Sequence, residues 1–191
     1  MVGILAKAKV HAVRVLAVGA HPDDAELGCG ATLAKHAAAG SDVFILVLGT
    51  GALSRPGTGA ADVAELKVQC EESAKILGAQ VQVLAFPDQQ FDTVPLLEII
   101  RVIEEVVRTT RPDVVYTHHA GDLNVDHRLT ALAVRTACRP AGMPAPDIYA
   151  FEVASSTEWG EDFRASMFVD VTGEPLAKNC LLYTSPSPRD A

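Results

Sequence analysis

Strand patterns and helix patterns alternate along the chain, and this alternation constrains the fold more than any other feature. Short apolar runs rich in β-branched residues predict six strands, at Val13–Gly19, Val43–Leu48, Val81–Phe86, Val114–His118, Ile148–Val153 and Met167–Val171. Longer stretches that end near glycine or proline predict four helices, at Glu26–Ala39, Ala60–Leu77, Leu96–Thr109 and Asp126–Cys138. Because alternating strands and helices form βαβ units, the sequence predicts a single α/β domain with a mostly parallel sheet flanked by helices.

The composition suits such a domain and argues against several functions. The chain has 191 residues, of which 49% are apolar, enough for one buried core. Its formal net charge of −8 argues against nucleic-acid binding, which needs clustered Lys and Arg. No stretch is long and apolar enough to span a bilayer, and the N-terminus lacks a secretory signal pattern. We therefore expect a cytoplasmic protein without a membrane span, and the sequence leaves self-association into a homo-oligomer open.

Two loops hold most of the polar residues that could carry chemistry. In parallel sheets, ligands bind beyond the carboxyl ends of the strands, so the loops that follow the predicted strands are the places to search. The loop after the first predicted strand reads GAHPDD and begins at Gly19. The loop after the fourth predicted strand reads HHAGDLNVDH and begins at His118. We expect these two loops to contain the functional site.

Imidazole and carboxylate groups in these loops suit a zinc ion. A catalytic zinc takes three protein ligands and keeps one position open for water, and His21, Asp24 and His127 can supply that set. Asp23 then remains beside the metal as a carboxylate that can take a proton from water. A plainer explanation is that Asp23 or Asp24 caps the following helix, with Pro22 shaping the turn. The presence of both loops at one edge of the sheet favours the metal site.

Four segments of the sequence resemble a known family. AHPDDAELGCGATLAKHAAAG resembles the start of the PIG-L (LmbE-like) deacetylases, which carry AHPDD after their first strand. Their second motif is HxDH, and NVDH at residues 124–127 stands in its place. FPDQQFDT, THHAGDLNVDHRLTALAVRTACRP and FEVASSTEW resemble one branch of the family. The resemblance implies a Rossmann-like fold and zinc-dependent hydrolysis of an N-acyl group, most often N-acetyl, on an amino sugar or sugar conjugate.

The resemblance implies roles for residues in both loops, carried over by position. His21, Asp24 and His127 are implied as the ligands of a Zn²⁺ cofactor. Asp23 is implied as the general base of the reaction. Asp126 is implied as a supporting catalytic residue beside the site.

Two further positions match family residues that contact the sugar. They are Arg55, in the loop after the second predicted strand, and Asp88, after the third. An arginine in a Gly/Ser-rich loop is more often simply solvated, and Asp88 can be a turn residue after Pro87. Both plainer explanations stay open at this point.

One position departs from the family pattern. Asn124 stands where many members have the first histidine of HxDH, which can stabilise an oxyanion or donate a proton. An amide can donate a hydrogen bond to an oxyanion, but it cannot donate a proton at neutral pH. We therefore expect Asn124 to steady the oxyanion, and the general acid stays unassigned. Asp23, once protonated, can return its proton to the leaving amine.

The family likeness runs from about residue 13 to residue 178 and then stops. Residues 179–190 read NCLLYTSPSPRD, which resembles a translated sequencing adapter. We therefore expect residues 1–178 to form a deacetylase domain that is truncated at its C-terminus, and residues 179–191 to be an artefactual disordered tail. A genuine Pro/Ser-rich tail is the alternative.

Two other functions compete with a deacetylase that acts on a small N-acetylated sugar or conjugate. A nucleotide-binding Rossmann oxidoreductase needs GxGxxG in its first turn. Here that turn reads GAHPDD, and its carboxylates would repel phosphate. A non-catalytic sugar- or metal-binding module is the other alternative, and a test for acetate release separates it from an enzyme.

Overall fold

Five parallel strands form one sheet in the computed structural model, which describes residues 13–51, 59–140, 142, 144–154 and 156–172. The strands are β1 (Arg14–Gly19), β2 (Asp42–Gly49), β3 (Gln80–Phe86), β4 (Val114–His118) and β5 (Asp147–Phe151). Their order across the sheet is β3-β2-β1-β4-β5, and each neighbouring pair is parallel. The predicted α/β class and parallel sheet are confirmed.

Four helices cover the two faces of this sheet: α1 (Asp24–Ala38), α2 (Ala60–Leu77), α3 (Leu96–Thr110) and α4 (Val125–Ala137). In β1, Val15 and Ala17 pack in the apolar cluster that includes α1 and α2. Leu16 and Val18 pack in the cluster that includes α3 and α4. Because successive strand residues point to opposite faces, a sheet covered on both sides needs continuous apolar runs. Within the described ranges, no helix is both long and apolar enough to cross a membrane.

The direction in which the chain crosses the sheet reverses at β1. The strands β2 and β3 follow β1 on one side, whereas β4 and β5 lie on its other side. The loops after β1 and β4 therefore leave the sheet next to each other, where ligands bind in this class of fold. The strand order thus places the GAHPDD loop beside the HHAGDLNVDH loop.

The loop after β5 packs closely on the loop after β4. The backbone N–H of Leu123 donates to the carbonyl oxygen of Ser156 at 3.3 Å, and the N–H of Glu161 donates to that of Gly121 at 2.7 Å. A Cβ atom on Gly160 would collide with the carbonyl oxygen of Gly121 and lie 2.8 Å from the nitrogen of Leu123. Gly160 therefore permits an approach that a larger residue would prevent.

Most predicted elements are confirmed, and their bounds differ from the observed ones by at most two residues at either end. The predicted sixth strand, Met167–Val171, is wrong, because residues 162–171 form no strand. Phe168 is 85% exposed, and the ammonium group of Lys35 in α1 donates to the carbonyl oxygen of Asp170. The segment lies against α1 instead of pairing with the sheet, so its apolar run does not mark a buried strand.

Gly28 lies where α1 packs on β5. A Cβ atom at this position would lie 2.7 Å from Cγ and 2.9 Å from Cε2 of Phe151. Replacing a helical glycine by alanine ordinarily stabilises a protein by about 1 kcal/mol, but overpacking a core costs about 1–3 kcal/mol. We expect Gly28→Ala to lower the free energy of unfolding, measured by urea denaturation.

Phe151→Leu provides the control for this prediction, because it removes ring atoms that the new methyl group would meet. In a double-mutant cycle, Gly28→Ala should cost less in the Phe151→Leu background than in the wild type. An equal cost in both backgrounds would show that the collision with Phe151 is not the cause.

Candidate metal centre

His21, Asp24 and His127 converge at the carboxyl edge of the sheet, and all three are buried. The Nδ1 atom of His21 lies 3.3 Å from Nε2 of His127 and 3.4 Å from Oδ2 of Asp24. The Nε2 atom of His127 lies 3.3 Å from Oδ1 of Asp24. Two ligand atoms of a tetrahedral zinc ion lie about 3.3–3.4 Å apart. The two imidazole nitrogens have this spacing, and each faces a different oxygen of the Asp24 carboxylate at a similar distance. The donor types and their spacing therefore fit a zinc ion.

The turn between β1 and α1 directs Asp24 into this cluster. Asp24 is the first residue of α1, and its Oδ2 accepts a hydrogen bond from the backbone N–H of His21 at 2.7 Å. The turn is tight, since a Cβ atom on Gly19 would lie 3.2 Å from Cβ of Asp24. Asp23 occupies the N-cap position of α1 but makes no capping hydrogen bond with its side chain. Helix capping therefore does not account for this pair of aspartates.

The second nitrogen of His21 faces two further carboxylates. Its Nε2 lies 3.1 Å from Oδ1 of Asp88 and 3.1 Å from Oδ2 of Asp126. Asp126 accepts hydrogen bonds from the backbone N–H groups of Gln89 at 2.7 Å and Phe91 at 3.0 Å. These contacts join the start of α4 to the loop after β3. Carboxylates in this position hold a metal-ligating imidazole in one orientation.

The second nitrogen of His127 faces Asp122, a residue for which the sequence motifs predict no role. The Nδ1 atom of His127 lies 3.2 Å from Oδ1 of Asp122, which is 1% exposed. The hydroxyl groups of Thr157 and Ser156 donate to Oδ2 of Asp122 at 2.6 Å and 3.1 Å. In the sequence, the available indication of this role was that Asp122 is a carboxylate in the same loop as His127.

His118 is a second residue for which the sequence motifs predict no role. Its ring stacks on that of His127, with the ring centroids 3.9 Å apart. Its Nε2 atom lies 3.2 Å from Oδ2 of Asp24 and accepts the backbone N–H of Ala20 at 3.0 Å. Burial lowers the pKa of His118, which favours the neutral ring. In the sequence, the available indication was that His118 is the last residue of a strand and so lies at the ligand-binding edge of the sheet.

The groups around the imidazole rings of His21 and His127 favour positive charge on these rings. Burial lowers the pKa of His21, but hydrogen bonds with three carboxylates, Asp126 foremost, outweigh burial and raise it to about 12. Burial also lowers the pKa of His127, and Asp24 leads the carboxylates that raise it to about 9. Histidines bind metals as neutral rings, so a divalent cation can supply this positive charge in place of protons.

The carboxylates of this region are buried: Asp24, Asp88, Asp122 and Asp126. Burial raises the pKa of Asp24, but His118 and His127 hold it well below its ordinary value. Burial opposes ionisation of Asp122 as well, yet hydrogen bonds with His127 and Thr157 lower its pKa to about 2. Because buried carboxylates that stay ionised need compensating positive charge, the region suits a metal cation.

Asn124 caps α4. Its Oδ1 accepts the backbone N–H of Asp126 at 2.9 Å, an arrangement typical of helix N-termini. The cap uses the amide oxygen, so the NH₂ group is the part of this side chain that can donate to an oxyanion. Arg55, the predicted sugar contact, lies outside the described residues, as does the segment 179–191.

Comparison with known proteins identifies the same family as the sequence motifs. The PIG-L family model, described as GlcNAc-PI de-N-acetylase, matches residues 16–138. The uncharacterized deacetylase YaiS of Escherichia coli (strain K12) is 34% identical over 148 residues, which span 74% of this chain and 75% of YaiS. The matched region of the family model runs from β1 to the end of α4 and thus includes both motif loops.

Solved structures share the fold. The hydratase GalB from Pseudomonas putida KT2440, which acts on 4-carboxy-2-hydroxymuconate, superposes with a TM-score of 0.81 at 23% identity, covering 93% of this chain and 80% of that one. The N,N'-diacetylchitobiose deacetylase from Pyrococcus horikoshii gives a TM-score of 0.74 at 20% identity, covering 95% and 72%. At these identities the likeness concerns the fold, which a hydratase and a deacetylase therefore share.

The assignment to a family consequently depends on sequence and site together. The family match covers His21, Asp24 and His127, the residues whose side chains meet at the sheet edge. It also covers nearly two thirds of the chain, and the match to YaiS extends over a larger share. This chain belongs to the PIG-L family of GlcNAc-PI de-N-acetylase-like proteins.

Proposed function

We propose that this protein is a zinc-dependent hydrolase that removes an N-acetyl group from an amino sugar or sugar conjugate. The observation that carries the proposal is the meeting of His21, Asp24 and His127, in which the two imidazole nitrogens lie 3.3 Å apart and each lies 3.3–3.4 Å from one oxygen of Asp24. The reaction class is supported by the PIG-L family, by the deacetylase YaiS and by the chitobiose deacetylase that shares the fold.

The proposed mechanism distributes the chemistry over a few side chains. When bound to His21, Asp24 and His127, zinc would supply Lewis-acid chemistry for amide hydrolysis. Asp23, beside this site in sequence, takes the proton of the attacking water as general base. The NH₂ group of Asn124 donates a hydrogen bond to the oxyanion that forms as the carbonyl is attacked. Asp23 then returns its proton to the leaving amine.

Asp126 and the two proposed sugar contacts complete the set of site residues. Asp126 supports the site by holding Nε2 of His21, at 3.1 Å. Asp88 is 2% exposed and lies 3.1 Å from the same nitrogen, so it holds His21 in addition to any contact with the sugar. Arg55 stays a proposed sugar contact.

Other predictions from the sequence are also part of the proposal. They are the domain at residues 1–178, the foreign origin of residues 179–191, the cytoplasmic location and the small N-acetylated sugar or conjugate as partner. Limited proteolysis that removes the segment after residue 178 without loss of zinc would support the domain bounds and the expected disorder of the tail. A compact product that retains residues 179–191 would count against them.

Acetate release is the direct test of the function. We expect the protein to release acetate from N-acetylglucosamine or its conjugates, to lose activity with a chelator and to regain it with Zn²⁺. Zinc binding without acetate release across a panel of N-acetylated sugars would indicate a non-catalytic module. Hydration of 4-carboxy-2-hydroxymuconate, the activity named for GalB, is tested in parallel.

Asp23→Asn and Asp24→Asn form a matched pair that separates the base from the ligand. Asp23→Asn should keep zinc but slow turnover by about 10²–10⁴-fold, the usual contribution of a positioned general base. Asp24→Asn should weaken zinc binding, because it removes a charged ligand. Turnover and the zinc content of the purified proteins are measured together. Equal zinc loss in both variants would show that the two roles are wrongly assigned.

Two substitutions separate the roles of the oxygen and the NH₂ group of Asn124. Asn124→Ser keeps an oxygen that can cap α4 but removes the NH₂ donor, so kcat should fall by about 10²-fold with little change in thermal stability. Asn124→Ala should lower kcat similarly and also cost about 1 kcal/mol of stability through the lost cap. A fully active Asn124→Ser enzyme would show that another group steadies the oxyanion.

A further inference from the structure

His127 has two ring nitrogens with different surroundings. Its Nε2 faces His21 and Asp24 at 3.3 Å, on the side of the proposed zinc ion. Its Nδ1 faces away from that point and lies 3.2 Å from Oδ1 of Asp122. A neutral imidazole carries one N–H, so the group that accepts this hydrogen decides which nitrogen keeps a lone pair for the metal.

Two acceptors lie near Nδ1 of His127: Oδ1 of Asp122 at 3.2 Å and the hydroxyl oxygen of Ser156 at 3.3 Å. The ionised carboxylate of Asp122 is the stronger acceptor, and the Ser156 hydroxyl itself donates to it at 3.1 Å. The backbone N–H of Asn124 donates to Oδ1 of Asp122 at 2.8 Å, and the hydroxyl of Thr157 donates to its Oδ2 at 2.6 Å. An ionised carboxylate can only accept, so the Thr157 hydroxyl donates its one hydrogen to Asp122, while the Thr157 oxygen accepts the backbone N–H of Val153 at 2.8 Å. Asp122 therefore receives hydrogens from its neighbours and has lone pairs to accept Nδ1–H of His127.

We propose that Asp122 is a positioning residue that holds His127 with its hydrogen on Nδ1 and its lone pair on Nε2, and that Thr157 keeps Asp122 in place. This inference rests on the proposed zinc site. Asp122 acts through its contact with His127.

Thr157 connects a distant segment to the metal centre. It lies in the loop after β5, 35 residues from Asp122, and is 1% exposed. The loops after β4 and β5 pack closely where a Cβ atom on Gly160 would collide with Gly121. The loop after β5 thus contributes to the site by fixing the carboxylate behind a ligand, which gives the FEVASSTEW segment a physical role.

Zinc affinity tests this inference without depending on deacetylation. The full chain, stripped of metal, is titrated with Zn²⁺ against a chromogenic chelator, and the absorption spectrum is recorded after loading with Co²⁺. Asp122→Asn should weaken zinc binding by about 10–100-fold, the usual effect of removing a carboxylate behind a metal-ligating histidine. The Co²⁺ spectrum should change as well, since the ligand geometry changes.

Variants of Thr157 test the second part of the proposal. Thr157→Val removes the hydroxyl but keeps the shape, and it should weaken zinc binding in the same direction. Thr157→Ser restores the hydroxyl and should recover affinity close to that of the wild type. Asp147→Asn is the matched control, since Asp147 is an exposed carboxylate at the opposite end of β5. It should leave zinc affinity unchanged.

Each outcome decides the inference. If the wild type binds zinc and Asp122→Asn binds it equally well with an unchanged Co²⁺ spectrum, the inference about Asp122 is wrong while the proposed function stands. If Thr157→Val and Thr157→Ser behave alike, Thr157 does not act through its hydroxyl. If the wild type itself binds no zinc, both the proposed metal site and this inference are overturned.

Discussion

The buried carboxylate of Asp24 is the interaction on which the site depends. It accepts the backbone N–H of His21 at 2.7 Å and lies within 3.2–3.4 Å of ring nitrogens of His21, His118 and His127. One ionised group thus joins the loop after β1 to the loop after β4. An ionised carboxylate at 3% exposure would be costly without partners, and the backbone N–H of His21 and the rings of His21 and His127 supply them.

The fold creates this meeting point through strand order. Because β1 lies between β2 and β4, the chain leaves β1 and β4 at neighbouring positions of the sheet edge. The helices that follow begin there, so α1 presents Asp24 in its first turn and α4 presents His127. The same architecture supports a hydratase, so function follows from the side chains placed at this edge.

Each histidine that faces the proposed ion has a carboxylate on its other nitrogen. Asp88 and Asp126 stand behind His21, and Asp122 stands behind His127. This repeated arrangement fixes both rings without using the side that faces the ion. It also concentrates negative charge in a buried region, which favours a cation at its centre.

Local patterns were sufficient for most of the fold. The elements from β1 to β5 follow from local patterns that need no knowledge of their partners. The central strands β1 and β2 are buried on both faces and therefore form continuous apolar runs, whereas the edge strands β3 and β5 are partly exposed. The same kind of pattern wrongly predicted a strand at Met167–Val171. This apolar run lies on the surface beside α1, with Met167 and Phe168 exposed. An apolar run becomes a strand only where an adjacent strand is available to pair with it. The periodicity of the sequence does not show whether such a neighbour exists.

The sequence by itself determined the two motif loops, their place at the ends of strands and the ligand candidates His21, Asp24 and His127. Tertiary structure alone decided which nitrogen of each histidine faces the others, and which groups stand behind them. Asp122 and Thr157 lie 35 residues apart, and His118 reaches Asp24 across the sheet. Such contacts are set by the packing of loops from different strands, which no local pattern of residues encodes.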